Sequence, residues 1–205
     1  MHPNPAFRQD PAATHLAMAA ARGFGTLSVH GAAGPLMAHI PFFLANDGTY
    51  ADIHLARSNA IARADLPATA VLAVLGPDAY ISPDWYGIAD QVPTWNYVAV
   101  HLRGILTPLP ADTLDPMVKA LSEVFETRLL PKPVWTTAKM GVGVMERMMR
   151  MILPFRLTIS AVDGTRKLNQ NKSVEARAGV IRALEAGGGL SPAADLARLM
   201  RDAAG

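Results

Sequence analysis

The sequence predicts a mainly β chain with added helices, an α+β fold built on an antiparallel split or closed barrel. Three observations predict it. Short runs of alternating apolar residues are separated by Gly, Asn and Asp turn signals, as in a meander. The helical segments fall between and after these runs rather than alternating with them regularly, which disfavours a doubly wound parallel sheet. Half of the 205 residues are hydrophobic (50%), enough for a sizeable core.

Ala13 to Arg22 is Ala-rich and reads as a short helix ended by Gly23. Phe24 to His30 and Pro35 to Leu44 flank a Gly-containing loop and read as a hairpin. Asn46-Asp47-Gly48 turns the chain into a third strand, Tyr50 to Leu55. Arg57 to Ala64 reads as a short helix ending near Pro67. Ala70 to Leu75 is an apolar strand, and Gly76-Pro77-Asp78 reads as a turn into Ala79 to Ser82. A long strand, Thr94 to Leu106, places Tyr97, Ala99, His101 and Arg103 on one side and Asn96, Val98, Val100 and Leu102 on the other.

Asp112 to Leu129 carries Leu114, Met117, Val118, Leu121, Val124 and Phe125 at helical spacing, with Asp112 as the expected N-cap. Gly143 to Met151 reads as a Met-rich helix. Phe155 to Val162 is the last strand, turned by Asp163-Gly164. The tail predicts two helices, Ser173 to Glu185 and Ser191 to Asp202, hinged at Gly187-Gly188-Gly189, with Ser191-Pro192 as a start signal. The expected division is a barrel domain over 1–172 and a C-terminal helical extension over 173–205.

Composition excludes several classes. Only 18% of residues are charged, and 19 basic against 17 acidic residues leave a net +2, with no Lys/Arg block. A strong nucleic-acid field is not expected from that balance. There is no cysteine, hence no disulfide, thiolate metal site or cysteine nucleophile. No signal peptide and no run of about 18 apolar residues is read, so the expected location is the cytoplasm. Neither G-x-G-x-x-G after a strand, nor a P-loop, nor G-x-S-x-G occurs. The six histidines are scattered; His39 and His54 are placed to approach across a hairpin, but the three or four ligands of a metal site are missing.

Three segments carry chemistry. His54-Leu55-Ala56-Arg57-Ser58-Asn59 lies where a strand meets the expected helix, so free N–H groups, the dipole, Arg57 and Ser58 suit an anion. The plainer reading is a capped helix start with Arg57 in solvent. Ala79-Tyr80-Ile81-Ser82-Pro83-Asp84-Trp85-Tyr86 and Val92-Pro93-Thr94-Trp95-Asn96-Tyr97 concentrate aromatics and hydroxyls suited to a planar ring, or to a subunit interface. Arg166-Lys167-Leu168-Asn169-Gln170-Asn171-Lys172 offers amides and ammonium groups for a phosphate or a polar ring edge, or is a solvated loop. Met145, Met148, Met149 and Met151 read as apolar filler rather than haem ligands.

Taken in order, Ala38-His39-Ile40-Pro41-Phe42, the His54–Asn59 segment, Ala79–Pro83, Trp85-Tyr86, Val92–Tyr97 and Lys167–Lys172 resemble the PaiB-type FMN-binding negative transcriptional regulators. The pieces cover nearly the whole chain. The resemblance implies an FMN-binding split β-barrel, similar to pyridoxamine phosphate oxidases and flavin reductases, acting as a homodimer. It implies Arg57, Ser58 and Asn59 at the flavin phosphate and His54 and Leu55 beside the ring. It adds Ser82, Trp95 and Asn96 from the aromatic loop, and Lys167, Gln170 and Lys172 closing over the cofactor. Two positions depart from the pattern. Asn169 stands where serine is expected, and Asp84 where a small polar residue is common.

Two further functions stay open on the same fold. One is a flavin-dependent oxidoreductase, with His39, His101 or Tyr86 as candidate acid or base. The other is a haem-binding or haem-degrading split barrel. No helix-turn-helix or basic stripe supports direct DNA binding.

Overall fold

A computed structural model describes residues 1–188 and 194–203. Six strands close into a barrel in the order β1-β2-β3-β6-β5-β4. These are β1 (Phe24–Gly31), β2 (Gly34–Leu44), β3 (Tyr50–Ala56), β4 (Ala68–Ile81), β5 (Thr94–Pro108) and β6 (Ile152–Lys167). The helices are α1 (Ala12–Arg22), α2 (Leu114–Thr127), α3 (Val144–Met149), α4 (Val174–Glu185) and α5 (Ala194–Asp202). The antiparallel β1–β2 hairpin pairs Thr26 with His39, and β3 pairs antiparallel with β6, setting His54 opposite Pro154. The expected barrel and its meander are therefore present. Among the described residues no helix is long and apolar enough to cross a membrane.

Four local expectations are corrected. Gly76-Pro77-Asp78 does not turn; β4 runs through it. The buried side switches there from even positions (Leu72, Val74) to odd ones (Ala79, Ile81), the phase slip that one extra residue in a strand produces. The β1 partners of β4 end at Ala73, so Pro77 lies beyond that ladder and its missing N–H costs no bond to β1. Likewise β6 continues through Asp163-Gly164 to Lys167. Gly164 is required by a close approach: a Cβ there would overlap the imidazole of His15. Asp112 sits in a 3-10 turn (Ala111–Thr113), and α2 starts at Leu114 without a side-chain cap. Finally, Arg57 to Ala64 forms only turns and a 3-10 turn, Ile61–Arg63.

Contacts divide the chain into two compact units, 19–74 with 101–162, and 1–18 with 75–100 and 163–205. In the first, alternate residues of β1, β2 and β3 form the core, among them Leu27, Ile40, Phe42, Ile53 and Leu55. Phe155 and Leu157 of β6 join them. Gly104 is a second obligatory glycine, since a Cβ would meet the carbonyl oxygen of Thr158. In the second unit, Ala79, Ile81, Tyr86, Val98 and Leu168 share one core with Val180 and Leu184 of α4 and Leu196 and Met200 of α5. The tail helices are thus packed onto that unit by their apolar faces. Ser173 caps α4 by accepting the Ala176 N–H. Of the expected tail signals, Gly189 and Ser191-Pro192 lie outside the described residues.

Candidate functional site

In the first unit, β3 ends at Ala56 and delivers Arg57, Ser58 and Asn59 into a turn. The Arg57 N–H donates to the Met151 carbonyl (2.9 Å), and the Asn59 N–H to the Ala56 carbonyl (2.9 Å). Asn59 Oδ1 accepts the Ile61 N–H at 2.9 Å. Such a side-chain turn competes with helix, which explains why the expected helix does not form. Without that helix no helix dipole faces an anion here. What remains is a set of charged donors.

Arg57 Nε donates to the Arg150 carbonyl (2.6 Å), and Arg63 Nε donates to the Arg57 carbonyl (3.2 Å). Each guanidinium is oriented through its Nε, and neither side chain enters an ion pair among the described residues. Their terminal N–H groups and the exposed Ser58 hydroxyl suit a phosphate. A cleft of about 340 Å³ opens beside Arg57, lined also by Arg150, Met149, Ile152 and Pro154, with Glu146 as its one acid. His54 faces away from the core and is half-buried; its Nδ1 has no partner, and burial lowers its pKa. Its imidazole is therefore neutral at pH 7. Leu55, by contrast, points into the core and is 2% exposed.

The second unit assembles the other expected residues. Ser82 accepts the Asp84 N–H (3.4 Å) and starts the 3-10 turn Pro83–Tyr86. Trp95 is exposed, with Tyr80 edge-on to it at 6.2 Å between ring centroids. Lys167 Nζ donates to the Trp95 carbonyl (2.7 Å) and to Thr94 Oγ1. Lys172 Nζ donates to Gln91 Oε1 (2.5 Å) and lies over the Tyr86 ring. Gln170 spends both ends of its amide on the chain, accepting from the Leu168 N–H (2.7 Å) and donating to the Arg166 carbonyl (2.5 Å).

Asn96 is fully buried and its amide donates to Met200 Sδ (3.6 Å), so its side chain serves the interior. Asn169 adopts φ 62°, a left-handed backbone that asparagine tolerates better than serine. The Tyr86 hydroxyl donates to Asn169 Oδ1 (3.3 Å), and burial raises its pKa, which removes it as an exposed acid. His39 bonds Thr26 Oγ1 through Nδ1 (2.9 Å) on an exposed face.

A family model described as "Putative FMN-binding domain" matches residues 1–161. The chain belongs to this family. Its relatives include the Protease synthase and sporulation protein PAI 2 of Bacillus subtilis (strain 168). That protein is 30% identical over 165 residues, 79% of this chain and 78% of the relative. Among solved structures, the FAD and heme binding protein from Mycobacterium smegmatis aligns with TM-score 0.54 at 17% identity, covering 76% of this chain and 69% of that one. The conserved hypothetical protein Rv2991 from Mycobacterium tuberculosis aligns with TM-score 0.55 at 12% identity, covering 82% and 91%. These two likenesses show the shared fold. Membership of the FMN-binding family makes FMN the cofactor, and the residues present fit it. Two oriented guanidiniums without acid partners match a phosphate dianion, and His54 Nδ1 is an orphaned nitrogen beside them in sequence.

Arg63 and Arg150 were missed from the sequence. Arg150 acts through its carbonyl, and only the β3–β6 pairing brings it to Arg57. Thr94 and Gln91 were missed as lysine acceptors, although Thr94 stands inside the Val92–Tyr97 motif.

Proposed function

We propose that the chain is a PaiB-type flavoprotein that works in the cytoplasm as a homodimer and holds the FMN phosphate on Arg57, Arg63 and Ser58. Asn59 shapes the turn that presents them. The observation that carries this reading is the oriented pair Arg57 and Arg63 in the segment after β3, neither of them in an ion pair among the described residues. His54, next to Arg57 in the same unit, is the ring-facing candidate, and bound FMN supplies reversible one- or two-electron chemistry. Any regulation runs through the flavin, because a net charge of +2 without a basic block offers no DNA-reading surface. Fluorescence titration of the dimeric protein with FMN and with riboflavin tests the phosphate assignment. Arg57→Met weakens FMN about 10- to 100-fold, the worth of a charged hydrogen bond, and leaves riboflavin unchanged. An equal loss for both ligands contradicts it.

The exposed Thr26–His39 pair favours a second reading, a flavin-dependent oxidoreductase with His39 as its acid or base. Bleaching of bound flavin by NAD(P)H, followed by acceptor turnover that His39→Gln abolishes, supports this reading. Bleaching and turnover that ignore the substitution remove His39 from it.

A further inference from the structure

We propose that Lys167 and Lys172 form a second anion site, for a phosphate- or carboxylate-bearing small molecule rather than for the flavin phosphate. Both ammonium groups converge on one short segment, Gln91 to Trp95. Lys167 holds Thr94 Oγ1 and the Trp95 carbonyl, and Lys172 holds Gln91 Oε1. All three acceptors are neutral. Neither lysine enters an ion pair among the described residues, whereas Arg166, next to Lys167, is paired with Asp10 at 2.7 Å.

An ammonium carries three N–H donors. Lys167 uses two and Lys172 one, so three remain for incoming oxygens. The Tyr86 ring lies 5.2 Å from Lys172 Nζ and holds it by cation–π attraction. Burial and the neighbouring Lys172 both disfavour the charge on Lys167, and an anion seated here relieves both. In the same segment the exposed Trp95 indole, with Tyr80 edge-on to it, offers a flat apolar surface for the body of the ligand.

Charge arithmetic separates this site from the flavin phosphate. A phosphate dianion is matched by Arg57 and Arg63, which leaves two lysines without a counter-charge. The separation therefore rests on the FMN reading above; the lysine site itself does not. A dianion fits two ammonium groups, and phosphate and dicarboxylate share that chemistry.

The test is thermal unfolding and Trp fluorescence of the 205-residue protein, titrated with inorganic phosphate or succinate against chloride at matched ionic strength. The expected result is a saturable stabilisation by one of the two, and the better of them names the head group. K167Q/K172Q weakens it at least about tenfold, the worth of one charged hydrogen bond, while K167R/K172R keeps it. Should the double variant fail to fold, K172Q carries the test, since Lys172 holds only Gln91 and the Tyr86 face. No saturable effect of either anion beyond chloride overturns the proposal. So does an unchanged effect in the glutamine variants. The ratio of FMN to riboflavin affinity is measured on the same variants. An unchanged ratio supports a separate site, and a collapsed ratio assigns the lysines to the flavin phosphate and overturns it. A protein that binds no FMN sinks the flavin reading and leaves the phosphate and succinate arms intact.

Discussion

Gly164→Ala tests the packing of α1 against β6 most sharply. The His15 ring is 4% exposed and lies so close to Gly164 that a Cβ would overlap its three nearest ring atoms. An imidazole is rigid, so the clash is relieved only by moving α1 or tilting the ring off its rotamer. Overpacking of this kind costs about 1–3 kcal/mol. For a chain of this size about 1 kcal/mol moves the melting temperature by about 2–4 °C, so a fall of about 4–8 °C is expected at the middle of that range. Urea and thermal denaturation of the wild type, Gly164→Ala, His15→Ala and the double variant form a cycle. Removing the ring should rescue the methyl, giving a coupling of about 1 kcal/mol or more. Strictly additive effects, or a neutral Gly164→Ala, refute the contact.

Other predictions follow from charge and burial. Arg156 donates to both Asp52 carboxylate oxygens (2.7 and 2.9 Å) and lies over the Tyr50 ring at 3.6 Å. Asp52→Asn should therefore destabilise by about 1–2 kcal/mol, measured by urea unfolding, with the effect discounted for the partly exposed guanidinium. His15 and His54 both have their pKa lowered in the fold, burial being the first cause. The unfolded chain then binds more protons below about pH 6.5, so stability is full above that value and falls as pH drops through it. Urea midpoints between pH 5 and 8 should show that slope, and a His15→Gln, His54→Gln variant should flatten it. Ser173→Ala should cost about 1 kcal/mol by removing the cap of α4, read by thermal melting.

The barrel was legible because its strands alternate cleanly: Leu27 and Val29, Ile40 and Phe42, Ile53 and Leu55 are buried as their spacing implies. Strand ends were not. Gly76-Pro77-Asp78 and Asp163-Gly164 carry turn chemistry, yet tertiary pairing holds both segments extended, one with a phase slip and one beneath His15. The Arg57–Asn59 segment was legible as a donor cluster, but its mechanism was misread. Asn59 closes a side-chain turn, so the proposed phosphate site relies on charge and not on a helix dipole. Arg150 was invisible because its contribution is a backbone carbonyl 93 residues away, brought in by the β3–β6 pairing. Asn96 and Leu55 match the family pattern, but the pleat turns both side chains inward.

FMN binding by this barrel underlies the phosphate and ring assignments alike. Its most direct measurement is the visible absorbance spectrum of the purified protein after incubation with FMN and gel filtration. Flavin bands should co-elute with the protein at about one FMN per chain. A colourless protein that retains no added FMN contradicts it.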